Sequence, residues 1–404
     1  MRFYTLDSFY YHDFRIIWIA GLSMYASYWL HQIVIGWLTF DMTRSAILTS
    51  IALGLDSVPT IFMTPIAGIV ADRWERRYVI AVAAISMAVV TLGLGIAVWL
   101  GTIELWHILG YALLIGILYP LMDPAWVALM MSTVPKKSIV NAFVLNKLAG
   151  NGSRLVVPTI GGLIIVHFGP GQVLVVGATL YALTSAVVMA VTHYEVKLEE
   201  NSRGSAFKQF WEGLRYVGRE PIMLVLLLMT AVVTMTYLPS VNRMMPVYAS
   251  DVFSLGPTGL GILMGVGSVG STFGMIVLIS IKGIRQRGRL MVVTILLASV
   301  SMVGFSLAKD LAPAMGMLLL INIFATIYWT LSEAVVMEIS PSHLRGRVAS
   351  LVGGSMGLTP LGSVVFGGIA DVRGPRTATF AGGLVLAASI GLLFARFRQL
   401  WSFR

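Results

Sequence analysis

The chain has 404 residues, of which 57% are hydrophobic and 11% are charged. Because soluble domains carry about 25% charged residues, this composition excludes an ordinary soluble domain. The apolar runs are continuous over roughly 20 residues and do not alternate with period two, which excludes a transmembrane β-barrel. The net charge of +10 is expected of a membrane protein with basic loops on one side, so we expect no nucleic-acid partner.

In chain order, continuous apolar segments predict twelve transmembrane helices, each long enough to cross a bilayer. The predicted spans are 15–38, 46–70, 78–100, 105–133, 141–167, 172–193, 221–241, 257–281, 290–308, 313–338, 347–370 and 377–396.

The longest polar segment, 194–220, divides the chain near its middle. Within it, apolar residues recur at helical spacing between charged ones, which predicts an amphipathic helix on the membrane surface. We therefore expect an all-α membrane protein with two pseudo-symmetric six-helix bundles. Residues 1–193 form the first bundle, residues 221–404 form the second, and residues 194–220 link them on the cytoplasmic side.

Basic residues fall mainly in every second loop, beginning with the loop after the second predicted span. That set consists of Arg73, Arg76, Arg77, Lys136, Lys137, Lys197, Arg203, Lys208, Arg215, Arg219, Lys282, Arg285, Arg287, Arg289, Arg345 and Arg347. The opposite loops hold only Arg44, Arg243, Lys309, Arg373 and Arg376. Because Lys and Arg accumulate in cytoplasmic loops, we expect the first set and both termini in the cytoplasm, and the chain in the inner membrane of a bacterial-type cell.

The two halves share a sequence pattern. The pair Gly161-Gly162 aligns with Gly367-Gly368 at an offset of 206 residues, about half the chain, and a Gly-Pro pair follows in each half. A duplicated six-helix unit is typical of transporters that rock one half against the other around a site at mid-membrane.

Several stretches resemble known transport proteins. GIVADRWERR, residues 68–77, resembles the loop 2–3 signature G-x-x-x-D-R-x-G-R-R of the major facilitator superfamily, with Glu75 where the signature has Gly. PSHLRGRVAS and PLGSVVFGGIADVRGPR, in span 11, are similar to the third drug:proton antiporter family, which includes macrolide and siderophore exporters. The resemblance covers essentially the whole chain and implies the major facilitator fold and secondary active transport.

The resemblance also implies that the loop 2–3 motif is a cytoplasmic gate latch between the halves. Asp72 would lie beside the N-terminus of span 11, where the helix dipole stabilises an exposed anion by about 0.3–1 kcal/mol. The alternative is that these charges only set membrane topology. The gate candidates are Gly68, Asp72, Arg73, Arg76 and Arg77 in the motif, with Arg345 and Arg347 at the start of span 11.

Ionisable residues within apolar spans are costly and are therefore functional candidates. The candidates for proton coupling are Asp56, Asp123, Arg154 and Glu333. At 1.5 Å per residue, Asp56 and Arg154 lie about 20 Å, and Asp123 about 15 Å, from the inner ends of their spans. Glu333, the fourth candidate, lies nearer the inner surface, where it could pair with Arg345 or Arg347.

Lys147, Asn151 and Arg154 share one face of span 5, so we expect the carboxylates of spans 2 and 4 to pair with that face. In one hypothesis, Asp56 or Asp123 takes up a proton and releases Arg154, which couples protonation to rocking. In the other, the pairs are static braces, and Asp123 satisfies a backbone group freed by Pro124.

The substrate-cavity candidates are Tyr25, Trp29 and Gln32 on one face of span 1, with Asn151 and Arg154 from span 5. Aromatic groups beside a few polar ones suit a broad, amphipathic ligand. The sequence contains no ATP-binding P-loop, metal-ligand cluster or nucleophile–base set, so we expect no enzyme activity, cofactor or metal.

The combined expectation is proton-coupled efflux of amphipathic small molecules or drugs by alternating access, in a monomer embedded in the lipid bilayer. One alternative is a narrow-substrate exporter of a siderophore or of a lipid such as a lysophospholipid. An alternative of another class is a transport-inactive membrane sensor or scaffold, which would not need buried carboxylates in a polar cavity.

Overall fold

In the computed structural model, residues 4–191, 214–281, 286–341 and 345–397 are described, and every regular element within these ranges is helical. The helices are α1 (His12–Thr43), α2 (Ala46–Gly54), α3 (Ser57–Arg73), α4 (Arg76–Trp99), α5 (Leu105–Ser132), α6 (Ile139–Phe168), α7 (Pro170–Met189), α8 (Pro221–Ser240), α9 (Gly256–Ser280), α10 (Arg287–Leu307), α11 (Leu311–Ile339), α12 (Arg345–Gly354), α13 (Thr359–Arg373) and α14 (Pro375–Arg396). Short helical turns cover Tyr4–Tyr10, Lys136–Ser138, Asn242–Met244, Met245–Val247, Tyr248–Val252 and Ser355–Leu358.

The predicted all-α membrane architecture is confirmed. Among the described residues, 11 helical segments are long and apolar enough to cross a membrane. The first helix, α1, is outside that set because its interior carries polar groups such as Ser23, His31 and Gln32, yet its 32 residues are more than sufficient to cross. Two predicted spans are interrupted: span 2 breaks between α2 and α3, and span 11 passes through the turn Ser355–Leu358.

The predicted end of span 7 at residue 241 agrees with the end of α8 at Ser240, but the predicted placement of Arg243 in a loop is wrong. The apolar helical segment continues from Pro221 to Val252. Pro239 lies near the end of α8, and a 3₁₀ turn, Asn242–Met244, carries Arg243 within the span. A proline that removes a backbone donor explains why the helix changes geometry here.

The repeat in the sequence corresponds to a repeated turn in the structure. Gly169 and Gly374 have φ values of 87° and 84°, which favour glycine, and each ends a helix. The following residues, Pro170 and Pro375, occupy the first position of α7 and α14. A positive-φ glycine after a helix and a proline at the start of the next are the preferred signals at those two positions, so the two halves turn alike at matching points.

The halves approach each other most closely where α6 packs on α9 and α2 packs on α13. A Cβ atom added to Gly261 would lie 2.5 Å from the carbonyl oxygen of Pro158, and one added to Gly162 would lie 2.5 Å from that of Pro257. Only residues without a side chain permit backbones this close. Glycines on both helices therefore set the distance between the halves.

The connections between helices alternate between the two ends of the bundle, which we call the Ser45 end and the Arg76 end. The Ser45 end contains the connections at residues 44–45, 100–104, 169, 308–310 and 374, and the Arg76 end contains those at 74–75 and 133–138. The predicted linker, 194–220, is mostly outside the described residues; its last part, 214–219, is helical. The domain boundaries and the amphipathic helix remain predictions.

Replacing Gly261 by Ala tests the close contact between α6 and α9. We expect a lower thermal unfolding midpoint in detergent, because overpacking a tight contact costs about 1–3 kcal/mol. Gly152→Ala is the matched control, since Gly152 also lies in a helix but has open space around it. Equal midpoints for the two variants would show that the contact is not tight.

Candidate functional site

A cavity of about 240 Å³ lies at mid-depth between the halves. Its wall is mostly aromatic and aliphatic and includes Trp29, Leu263 and Met356. The polar groups that line it are Tyr28, Gln32, Arg154, Asn242, Arg243 and Asn322. A largely apolar cavity with a few convergent polar groups is the usual form of a small-molecule site. We call it the central cavity.

A second cavity, of about 280 Å³, adjoins the central cavity on the side of the first half. Asp56 and Asp123 both line it, so two carboxylates predicted from separate spans are brought to one compartment. Tyr28, Arg243 and Met356 line both this acidic cavity and the central cavity. The two spaces are therefore neighbouring parts of one polar interior.

Asp56 occupies the break between α2 and α3. The backbone there meets α5 at Gly116, where an added Cβ would collide with the Asp56 carbonyl group. The Ser57 hydroxyl donates to the Gly54 carbonyl group and so bridges the break. The missing side chain at Gly116 and the interrupted helix together turn Asp56 toward the acidic cavity.

The Gln32 side chain connects the two halves. Its Nε2 donates to Oδ2 of Asp56 at 3.2 Å and to the Tyr28 hydroxyl at 3.1 Å, and its Oε1 accepts from Nη1 of Arg243 at 3.4 Å. Asp56 belongs to the first half and Arg243 to the second. One neutral amide thus stands between a carboxylate and a guanidinium that make no direct ion pair with each other.

The predicted face of span 5 is divided between different neighbours. Arg154 lies over the Trp29 ring, with its guanidinium carbon 5.3 Å from the ring centroid. Lys147 lies over Phe143 at 5.4 Å, and Asn151 donates to the Met275 sulfur at 3.8 Å. The expected ion pairs between this face and Asp56 or Asp123 are not formed among these described side chains in this conformation.

The span 1 candidates differ in their surroundings. Trp29 and Gln32 line the central cavity, as does Arg154. The Tyr25 hydroxyl accepts from Nδ2 of Asn146 at 3.1 Å, and Asn146 in turn accepts from the Trp126 indole at 3.2 Å. Tyr25 is therefore part of a polar contact between α1, α5 and α6.

Gate candidates are described only in part, because the surroundings of Gly68 and the side chains of Asp72, Arg345 and Arg347 are outside the described set. Arg73, at the end of α3, is exposed. Arg76 donates to the Ala128 carbonyl oxygen at 3.4 Å, and Arg77 pairs with Glu75 and donates to the Val191 carbonyl oxygen at 3.5 Å. These described contacts all lie within the first half.

Glu333, the last predicted carboxylate, lies on α11 near the Arg76 end. Its side chain is exposed and lines a groove of about 490 Å³ with Trp329, Met337 and Val352. Among the described residues, no group of three or more His, Cys, Asp or Glu side chains could hold a metal ion.

The Ser45 end is closed by a carboxylate from the second half. Asp371, near the end of α13, accepts from the Ser45 hydroxyl at 2.7 Å and from the backbone N–H groups of Ala46 at 2.5 Å and Ile47 at 3.3 Å. It therefore caps the N-terminus of α2, where both free N–H groups and the helix dipole favour an anion. Deeper in, the Ser50 hydroxyl donates to the Ser363 hydroxyl at 2.9 Å.

Arg243 and Tyr28 are the partners of the Gln32 contact that sequence reasoning missed. A signal for Arg243 was present: Pro239 and the pair Asn242-Arg243 interrupt a stretch that is otherwise mostly apolar up to Ala249. Broken helices of this kind supply binding groups at mid-membrane in transporters. Tyr28 carried no comparable signal, because its role depends on the Gln32 contact.

Comparison with known proteins gives a consistent family. Residues 5–401 match the MFS_3 family, described as transmembrane secretion effectors. The multidrug efflux pump Tap of Mycolicibacterium fortuitum is 24% identical over 399 residues, which cover 95% of this chain and 96% of that protein. Macrolide efflux protein A of Streptococcus pyogenes is 24% identical over 377 residues, 89% of each chain.

Solved structures show the same fold. A mutant of the nucleoside transporter NupG aligns with a TM-score of 0.77 at 13% identity, covering 96% of this chain and 100% of its own. A bacterial homologue of the human lysosomal transporter Spinster aligns with a TM-score of 0.76 at 14% identity, covering 95% and 96%. Both are transporters by name, and the likeness to this chain is one of fold.

The Asp371 contact can be tested by chemical accessibility, since the chain has no cysteine. Ser363 is fully buried behind the closed end, so a thiol at Ser363→Cys should react slowly with a polar methanethiosulfonate reagent. Adding Asp371→Asn should speed that reaction about two- to fivefold, the factor expected when a helix-terminus charge interaction is lost.

Asp310→Asn is the control, because Asp310 is an exposed carboxylate at the same end that makes no cap hydrogen bond. If both substitutions change the rate of thiol modification equally, Asp371 has no special part in closure.

Proposed function

The chain belongs to the MFS_3 family of transmembrane secretion effectors, and we propose that it exports amphipathic small molecules in exchange for protons. Family membership makes it a multi-pass membrane transporter. The proposal adds the direction of transport, the coupling ion and the residues that couple them. Relatives named as multidrug and macrolide efflux pumps support export.

The single observation that carries the proton-coupling proposal is the Gln32 contact. It joins Asp56, an acid that can bind a proton, to Arg243, a cation on the opposite half. An adjacent cation favours the ionised form of a carboxylate, and withdrawal of that cation favours the protonated form. Relative motion of the halves would thus change how tightly Asp56 holds a proton.

The Gln32 contact occurs in the conformation whose Ser45 end is closed. With that end closed, Arg243 lies beside Gln32, and Asp56 would release its proton toward the Arg76 end. When the halves separate at the Ser45 end, Arg243 would move away with the second half, and Asp56 would bind a proton from that side. Alternating exposure of one site is the general scheme for transporters of this architecture.

The direction of coupling follows from the distribution of charge. The basic loops at the Arg76 end favour a cytoplasmic location for that end. Protons would then enter from the outer side and leave into the cytoplasm, and the substrate would travel the opposite way. We propose a bacterial inner-membrane location with both termini cytoplasmic, and transport by a single copy of the chain.

The gate motif would act in the opposite state, in which the Arg76 end is closed and the Ser45 end is open. Asp72 follows Gly68 and Ala71 as Asp371 follows Gly367 and Ala370, at the opposite end of the bundle. We propose that Asp72, with Arg73 and Arg76, holds the N-terminus of α12 when the Arg76 end is closed. The contact between Asp371 and α2 is the example of such a cap that supports this role.

Asp123 is proposed as a second group in the same exchange. It lines the acidic cavity with Asp56, and the charge of Lys147 acts on it from span 5. The substrate would occupy the central cavity, where Trp29 and Arg154 present an aromatic face and a cation.

Proton flux in proteoliposomes tests the proposal. Wild-type protein supplied with a panel of lipophilic cations and macrolides should move protons when substrate is added, and Asp56→Asn should abolish that movement. Asp123→Asn should reduce it, and Asp310→Asn serves as the control. Substrate movement without proton flux would reject the coupling and favour lipid, siderophore or uniport substrates, whereas the absence of any transport would favour a sensor or scaffold.

Arg243→Gln tests the link between the halves. Substrate-driven proton flux should fall at least about tenfold, because a hydrogen bond to a charged group contributes roughly 1.5–3 kcal/mol. Exchange of labelled for unlabelled substrate, which needs no net proton movement, should continue. Arg373→Gln, which removes an exposed cation at the end of α13, should leave both unchanged; a similar loss in that control would mean that charge alone, not the Gln32 contact, is responsible.

A further inference from the structure

The groove that contains Glu333 lies between α11 and the start of span 11. Trp329, Glu333 and Met337 line it from α11, and Val352 and Met356 line it from the other side. Its volume is about 490 Å³, enough for a small organic molecule. At 1.5 Å per residue, Glu333 lies about 9 Å from the C-terminal end of α11, so the groove is close to the Arg76 end.

The groove and the central cavity lie one after the other along the same face of α11. Leu318 and Asn322 line the central cavity, and Trp329, Glu333 and Met337 line the groove. These positions recur at intervals of four and seven residues, which places them on the same side of α11.

Met356 lies where these spaces meet. It lines the groove, the central cavity and the acidic cavity. A molecule in the groove is therefore separated from the central cavity by a flexible side chain, which adapts readily to a neighbour.

The chemistry of the groove suits an organic cation. Glu333 makes no ion pair with a described Lys or Arg, whereas Glu338 on the same helix pairs with Arg287. Trp329 supplies an indole face and Met337 a polarizable thioether. A carboxylate beside an indole binds a cation that carries apolar substituents, through charge and cation–π attraction together.

Glu333 is poorly placed for the proton exchange assigned to Asp56. It lies in a groove that neither Gln32 nor Arg243 lines, so the contact between the halves does not control its surroundings directly. Among the side chains that the structure describes, no cation forms an ion pair with Glu333, and we take its charge as the attraction for a ligand.

We propose that this groove is a second binding site, which receives the positively charged group of an amphipathic substrate at the Arg76 end before the substrate reaches the central cavity. The assignment as a step on the export route rests on the proposed function. The binding itself does not, and it can be measured without transport.

Equilibrium binding to detergent-solubilised, full-length protein tests the site with two probes of the same shape and opposite charge, tetraphenylphosphonium and tetraphenylborate. Glu333→Gln should raise the dissociation constant for the cation about fivefold, the upper range for a partly exposed ion pair. The constant for the anion should stay the same or fall. Glu333→Asp should retain most of the cation affinity.

Glu338→Gln is the matched control, because it removes a carboxylate from the same helix outside the groove. Equal cation affinity in wild type and Glu333→Gln, or an equal loss in Glu338→Gln, would overturn the proposal. So would a wild type that does not bind the cation. If cation binding depends on Glu333 while proteoliposomes show no proton flux, the site stands and the coupling mechanism fails. If proteoliposomes show proton flux while cation binding does not depend on Glu333, the coupling mechanism stands and the site is rejected.

Discussion

The contact on which the rest of the site depends is the hydrogen-bonded path from Asp56 through Gln32 to Arg243. It exists only because the halves are held together at the Ser45 end, where glycines on α6 and α9 let the backbones meet. It also requires the turn that follows α8, because Asn242–Met244 brings Arg243 beside Gln32. Closure of one end and a local departure from helix geometry are thus both needed to bring the charges together.

A neutral amide between the two charges has an energetic consequence. Two unit charges 4 Å apart attract by about 4 kcal/mol at an effective dielectric constant of 20, so a direct pair would resist separation of the halves. Removing one partner of a buried pair also costs several kcal/mol. With Gln32 between them, each charge keeps a hydrogen-bond partner, and the attraction that must be overcome during motion is smaller. The arrangement is suited to a contact that forms and breaks in each cycle.

Much of the fold could be predicted from the sequence, because a bilayer leaves few choices for an apolar run of about 20 residues. Asp56 and Asp123 were identifiable for the same reason, as charges where charge is costly. Their partners were not identifiable from residue spacing. Asp56 meets Gln32 and not Arg154 because the break after α2 and the close approach of α5 at Gly116 turn it away from span 5.

Arg243 shows that the sign of a charge predicts the side of the membrane but not whether the residue lies in a loop or within a span. Counted among loop cations, it agreed with the expected topology, and only the helical continuation beyond Pro239 places it within the span. A hydropathy pattern ends a span at the first polar pair, whereas the helix can pass through that pair when a cavity surrounds it.

The polar contacts that close the Ser45 end are individually weak, in keeping with the proposed alternating access. Asp371 is exposed, so its interaction with the start of α2 contributes about 0.3–1 kcal/mol, and the buried hydrogen bond between Ser50 and Ser363 adds about 0.5–1.5 kcal/mol. Contacts of this size bias an equilibrium without fixing it, since a shift of 1.4 kcal/mol changes a population ratio only tenfold. A proton or a substrate that binds one state more tightly by a few kcal/mol would therefore outweigh these polar contacts.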